Sequence, residues 1–200
     1  ESRDIWLGTF HAICAKILRY DGARLGVDSR FTIYDEEDRR ALVRTILKNL
    51  DINPDDLTPR SVIAQISRAK NAMMDATRFS QEAGTSYQKQ QVAEVYTAYQ
   101  QAMAQNNAMD FDDLLVELVR RLQDHGEVLA DYQTRFQHVL IDEYQDTNRP
   151  QYLLTRLLAK QHRNICCVGD DDQSIYQFRG ADIRNILDFE RDYPNAKTVR

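Results

Sequence analysis

The chain has 200 residues, 42% hydrophobic and 28% charged, with a formal net charge of −5. That is the composition of a soluble globular protein, long enough to bury a core as one large domain or two small ones. No stretch approaches the ~20 apolar residues of a membrane span, and the N-terminus has no basic-then-apolar leader. The acidic balance argues mildly against a nucleic-acid partner, although a local basic groove can sit on an acidic protein.

The chain opens ESRDIWLGTF without an initiator Met, so a fragment of a longer chain is expected. Phe10, Ile13, Cys14, Ile17 and Leu18 make a helical stripe that stops near Gly22 and Gly26. A short extended piece, Phe31 to Tyr34, follows. Asp35 then reads as an N-cap, with Glu36, Glu37 and Asp38 in the first turn and Leu42, Val43, Ile46, Leu47 and Leu50 on the apolar face. Thr58-Pro59 is a second start signal, continued by Val62, Ile63 and Ile66. Val92, Val95, Tyr96, Tyr99 and Met103 mark a further helix, and Phe111, Leu114, Leu115, Leu118 and Leu122 the next. Arg60, Arg68, Lys70 and Arg78 read here as the solvated face of amphipathic helices.

The texture changes after Tyr132. His138 to Ile141 and Asn164 to Val168 are short apolar runs of the kind that suits strands buried on both faces. Between them, Thr147 to Pro150 open a helix carrying Leu153, Leu154, Leu157 and Leu158. Strand, helix, strand in this span is a βαβ unit and implies a parallel sheet. The cysteines, Cys14 and the adjacent Cys166 and Cys167, suit neither a disulfide framework nor a metal site. They read as small buried residues in a reducing cytoplasm. The expected layout is α/β: an all-helical block over 35–107 inserted into a lobe formed by 1–34 and 108–200.

Both apolar runs end in acids. The first runs into Asp142 and Glu143, with Gln145 and Asp146 behind. The second ends at Gly169 and is followed by Asp170, Asp171, Asp172 and Gln173. Ligands of open α/β sheets bind beyond the carboxyl ends of the strands. Carboxylates crowded there suit a cation such as Mg²⁺, which takes one or two of them with waters and substrate phosphates. Taken alone, an Asp-Glu pair at a strand end is equally well a solvated loop.

Read together, VLIDEYQDTN and VGDDDQSIYQFRGAD resemble motifs II and III of UvrD/Rep-like superfamily 1 DNA helicases. GTFHAICAKILR resembles that family's TFH motif, and AMDFDDLL its DFDDLL stretch, in the family's order along the chain. The resemblance implies part of a P-loop NTPase (RecA-like) lobe with a helical insertion that faces duplex DNA, where Arg60, Arg68, Lys70 and Arg78 would instead meet phosphates, and ATP and Mg²⁺ as cofactors. By the same resemblance Asp142 is the Mg²⁺ ligand and Glu143 the general base. Gln145 and Asp146 complete the nucleotide motif and hold the site in shape. Gln173 senses the γ-phosphate. Thr9, Phe10, His11, Tyr176, Phe178 and Arg179 meet DNA, Arg179 also lying beside the nucleotide. The family often has Trp where this chain has Phe178, which leaves stacking on bases intact with less area. From periodicity alone Tyr176 and Phe178 read as core packing, a reading the motif match reverses, and Phe10 could equally be the first core residue of its helix.

The implied function is a 3′-to-5′ helicase or translocase. It would act on single-stranded DNA and single/double-strand junctions, in the company of repair or replication proteins. No GxxxxGKS/T loop occurs in the 200 residues, so they are expected to hydrolyse essentially no ATP by themselves. Two other classes remain: a metal-dependent nuclease built on Asp142, Glu143 and Asp170 to Asp172, which would explain the acids but not Gln173, and a DNA-binding or docking module without activity, against which the intact Asp142, Glu143 and Gln173 speak.

Overall fold

A computed structural model describes residues 5–170 and 189–199. They fall into two compact units, residues 1–124 and 125–200.

In the first unit, helix α1 (Phe10–Tyr20) opens on Thr9, whose hydroxyl accepts from the Ala12 amide, and buries Cys14, Ile17 and Leu18. Strand β1 (Thr32–Tyr34) leads into α2 (Glu36–Asn49). The Asp35 signal is realised as a capping box: its carboxylate accepts from the Glu37 and Asp38 amides, and Asp38 reaches back to the Asp35 amide. Helices α3 (Pro59–Asn71), α4 (Ala76–Glu82) and α5 (Tyr87–Gln105) follow, α3 capped by Thr58 with Pro59 at its start. Strand β2 (Ala108–Asp110) then passes into α6 (Phe111–Asp124). One apolar cluster joins Val43 and Leu47 of α2, Val62 and Ile66 of α3, and Val92, Tyr96 and Tyr99 of α5.

Strands β1 and β2 pair in parallel, with Thr32 opposite Ala108 and Tyr34 opposite Asp110. A parallel pair needs a crossover. Here the crossover is the stretch 35–107, which is helical throughout its regular elements. The chain therefore leaves for the helices and returns from them side by side, and α6 continues from the return strand to pack along α1.

The return is anchored by buried charge. Lys70 of α3 is 1% exposed, and its ammonium lies 2.8 Å from Asp110 Oδ2 and 2.7 Å from Asp113 Oδ1. Arg39 of α2 lies 3.3 Å from Asp110 and 3.5 Å from Asp112. The Tyr99 hydroxyl donates to Asp110 at 2.9 Å, and the Ser67 hydroxyl donates to Asp112 at 2.6 Å. Asp110 and Asp113 also cap α6 reciprocally, each carboxylate accepting from the other residue's amide at 2.9 and 3.1 Å. Both readings of Lys70 as a surface residue are thus corrected. It meets neither phosphate nor solvent, because two carboxylates of the return strand and helix enclose it. Arg60, Arg68 and Arg78 are exposed, Arg78 being paired with Glu82 along α4.

In the second unit, α7 (Gly126–Arg135) precedes β3 (Val139–Ile141). A single 3₁₀ turn (Tyr144–Asp146), α8 (Arg149–Ala159), β4 (Ile165–Cys167) and α9 (Phe189–Asp192) follow. Strands β3 and β4 are parallel, Val139 opposite Ile165 and Ile141 opposite Cys167. The βαβ reading is realised, with α8 capped by an Asn148–Gln151 box and Pro150 in its first turn. Burial on both faces is not: Leu140 is 76% exposed and its neighbour across the pair, Cys166, is exposed too. Side chains alternate across a strand. Helix α8 takes the face of Ile141 and Cys167, and the Leu140–Cys166 face is open in this unit. Of the three cysteines only Cys14 is buried. Among the described residues, no helix is long and apolar enough to cross a membrane.

The buried cluster generates two predictions. Replacing Lys70 with Met leaves two buried carboxylates without their shared cation. Urea unfolding should show a loss of roughly 3–5 kcal/mol, against less than about 0.5 kcal/mol for Arg78→Met at the surface. The second concerns acid. Burial alone would raise the Asp110 carboxyl, but Lys70 and Arg39 outweigh it and hold the group below the ordinary range. The folded chain thus favours the ionised form more than the unfolded chain does. The resulting stability is whole at neutral pH and is lost as pH falls below about 4. Asp110→Asn should flatten that acid limb in melting curves taken from pH 5 down to pH 2.

Candidate functional site

Strand β3 delivers Asp142 and Glu143 to its carboxyl end, and both are exposed. Asp142 Oδ1 accepts from the Glu143 amide at 3.0 Å. Glu143 stands in the left-handed region, φ 50° and ψ 45°. For a side chain with a Cβ this conformation costs of order 1–3 kcal/mol and persists only where the surroundings impose it. Here they do. The 3₁₀ turn closes on the Glu143 carbonyl, which accepts from the Asp146 amide at 3.0 Å. The Tyr144 amide donates to the Val168 carbonyl at 2.9 Å, and the Val168 amide donates to Ile141 at 2.8 Å, so the ladder continues past both strands.

Tyr144 itself is fully buried behind the exposed acids. Its ring meets Phe189 edge-on at 5.7 Å, and Phe189 packs on Tyr193 at 4.9 Å. The Tyr152 hydroxyl donates to the Asp192 carboxylate and accepts from Arg156 at 3.0 Å, and Arg163 donates to the Asp192 carbonyl at 3.1 Å. The short helix α9 is thereby fastened to α8 and braces the turn from behind.

Gln145 is 1% exposed. Its amide nitrogen donates to Glu143 Oε2 at 2.6 Å, and its amide oxygen accepts from the Asp170 amide at 3.0 Å. The two strand ends are therefore bridged by one side chain, and Asp142, Glu143, Gln145 and Asp170 are brought together. Asp146 is exposed on the turn. Gln173, Tyr176, Phe178 and Arg179, with Asp171 and Asp172, lie outside the described residues.

Thr9, Phe10 and His11 belong to the first unit. Thr9 is exposed and caps α1, its hydroxyl 3.3 Å from the Ala12 amide. Phe10 and His11 are half-buried. The His11 ring meets Phe111 edge-on at 5.6 Å, and Phe111, the first residue of α6, is 48% exposed. The helical stripe puts Phe111 among core positions and the DFDDLL resemblance includes it, but its ring at the start of α6 is half-exposed.

The donor set suits Mg²⁺ with a nucleotide. A cation that brings its own phosphate ligands needs only one or two protein carboxylates, and Asp142 and Glu143 offer two, open to solvent. Among the described residues no group of three or more His, Cys, Asp or Glu side chains is placed to hold a metal by itself.

The UvrD/REP helicase N-terminal domain model matches residues 1–194. The chain belongs to that family. It is 46% identical over 196 residues to the ATP-dependent DNA helicase PcrA of Bacillus subtilis (strain 168), covering 98% of this chain and 26% of the relative. To the PcrA helicase of Staphylococcus aureus (strain Mu50) it is 47% identical over 199 residues, covering 100% of this chain and 27% of the relative. The chain thus spans about a quarter of the length of these curated relatives. Both acid-ended strands fall within the residues that the UvrD/REP model matches.

Because Thr9 caps α1, its hydroxyl contributes to stability directly. Thr9→Ala should lower the unfolding free energy by about 1 kcal/mol. Thr9→Ser keeps the hydroxyl and should unfold like the unsubstituted protein in the same urea titration.

Proposed function

We propose that the protein containing this chain is an ATP-dependent DNA helicase of 3′-to-5′ polarity. It couples Mg²⁺-ATP hydrolysis to movement on single-stranded DNA and to unwinding at single/double-strand junctions. The observation that carries the reading is the exposed Asp142–Glu143 pair at the end of β3, backed by a buried turn and tied to the end of β4. Membership of the UvrD/REP family and the names of the PcrA relatives support it. In this reading 1–34 and 108–200 form part of a RecA-like ATP-binding lobe, and 35–107 is its helical insertion.

The roles follow from the chemistry of each group. Bound Mg²⁺-ATP supplies the γ-phosphoryl group and the charge that makes it electrophilic. Asp142 would hold the metal. Glu143 would orient a water and take its proton at Oε1, since Oε2 already accepts from Gln145. Gln173 would report the state of the γ-phosphate. On the first unit, His11 and the half-exposed Phe111 make an aromatic pair that suits stacking on unpaired bases, a contact worth about 1–3 kcal/mol per base and indifferent to sequence. Thr9 and Phe10 precede His11 in the chain and would meet DNA with it, and Tyr176, Phe178 and Arg179 would contact DNA in their own right.

The test is ATP hydrolysis by the full-length protein with and without single-stranded DNA, beside Glu143→Gln. DNA should stimulate turnover, and the substitution should abolish it while ATP still binds. Turnover that DNA leaves unchanged, or that survives Glu143→Gln, would sink the reading. The 200 residues alone, with no GxxxxGKS/T loop, should give no turnover.

A further inference from the structure

We infer that Gln145 is the positioning residue of this site: it fixes the Glu143 carboxylate and ties it to the end of β4. The inference rests on Glu143 being the base, as proposed above. Glu143 is exposed and its side chain has three rotatable bonds, so nothing intrinsic holds its carboxylate in one place. Gln145 sits two residues on, across the 3₁₀ turn, and returns its amide to Glu143 Oε2 at 2.6 Å.

The orientation of that amide follows from its partners. An ionised carboxylate only accepts and a backbone N–H only donates, so the NH₂ must face Glu143 and the oxygen must face Asp170. Both ends of the amide are used, and the side chain is buried. It cannot turn to solvent without leaving the Asp170 amide without this acceptor. Nor can it shift toward one strand end without pulling on the other. Asp170 opens the stretch that carries Gln173. A displacement of the Asp170 amide at the end of β4 therefore reaches the Glu143 carboxylate through one side-chain amide and two hydrogen bonds.

Two near-isosteric substitutions separate the two arms. Gln145→Met keeps the buried volume and removes both hydrogen bonds. Gln145→Glu keeps an acceptor for the Asp170 amide but cannot donate to Glu143, and sets a second carboxylate against it. The full-length protein is compared with both variants and with Glu143→Gln for kcat and KM of DNA-stimulated ATP hydrolysis. Single-stranded DNA affinity without nucleotide, the melting temperature, and hydrogen exchange at the Asp170 amide by mass spectrometry complete the set.

In both Gln145 variants kcat should fall roughly tenfold or more, as expected for a misplaced catalytic group. KM for ATP should stay within about twofold and DNA affinity should not change. Exchange at Asp170 should quicken in Gln145→Met and stay slow in Gln145→Glu. A kcat within about twofold of the unsubstituted protein in both variants would overturn the inference. So would a loss of kcat matched by an equal rise in KM and a collapse of the melting temperature, which is the mark of a merely structural residue. Unchanged exchange at Asp170 in Gln145→Met would overturn the link to β4. If the unsubstituted protein shows no DNA-stimulated turnover, or Glu143→Gln keeps it, the failure belongs to the helicase reading, and the exchange data still decide the link.

Discussion

Parallel pairing is the constraint from which both units follow. Two parallel strands cannot be joined by a tight turn, so the chain must leave the sheet, cross over and re-enter it. The carboxyl ends of the two strands then lie at the same edge. In the first unit the crossover is the helical stretch between β1 and β2, and β2 ends in Asp110 with Asp112 and Asp113 behind it. In the second unit it is the turn and α8 between β3 and β4, and β3 ends in Asp142 and Glu143. The same local pattern, a short strand running into acids, is thus built twice, with opposite outcomes.

The difference lies in what the crossover carries. Helices α2 and α3 bring Arg39 and Lys70 over the end of β2, and the acids there are enclosed. Breaking such an enclosed pair is far more damaging than never having had it, so the cluster fixes where the helices sit on the return strand and gives nothing to a ligand. Helix α8 brings no cation to Asp142 or Glu143 among the described ion pairs. It brings buried packing instead, with Tyr152, Arg156 and Asp192 fastening α9 behind Tyr144. The acids at the end of β3 keep open faces, and Glu143 keeps a left-handed backbone that its neighbours must hold. A strained, exposed acid on a rigid, buried support is the arrangement that a bound cation and phosphate can complete.

This contrast also explains what was legible in the sequence. Several helix starts were, because capping is a local event: Asp35, Thr58 and Asn148 each place an acceptor at the first open amides. The βαβ unit was legible because its apolar runs and its helix stripe differ in period. Strand β2 was not. Ala108-Met109-Asp110 has no periodicity of its own, and only its pairing with β1 makes it a strand. Leu140 and Cys166 read as buried because composition records that a run is apolar and not which of its faces is covered. Lys70 read as a surface residue because its burial depends on Asp110 and Asp113, far along the chain.

The site shows the same division. That Asp142 and Glu143 sit at a strand end followed from the run of apolar residues before them. That Gln145 joins the two strand ends did not: the family resemblance implies that it holds the site in shape, and the letters alone do not say which groups it holds. Only the closing of the 3₁₀ turn points its side chain back at Glu143, and only the parallel register places the Asp170 amide within its reach. Motif letters record which residues recur together. Geometry separates the group that meets a ligand from the group that holds it there. In this chain exposed and buried groups lie within two residues of each other: exposed Glu143 and buried Gln145, exposed Phe111 and buried Asp110.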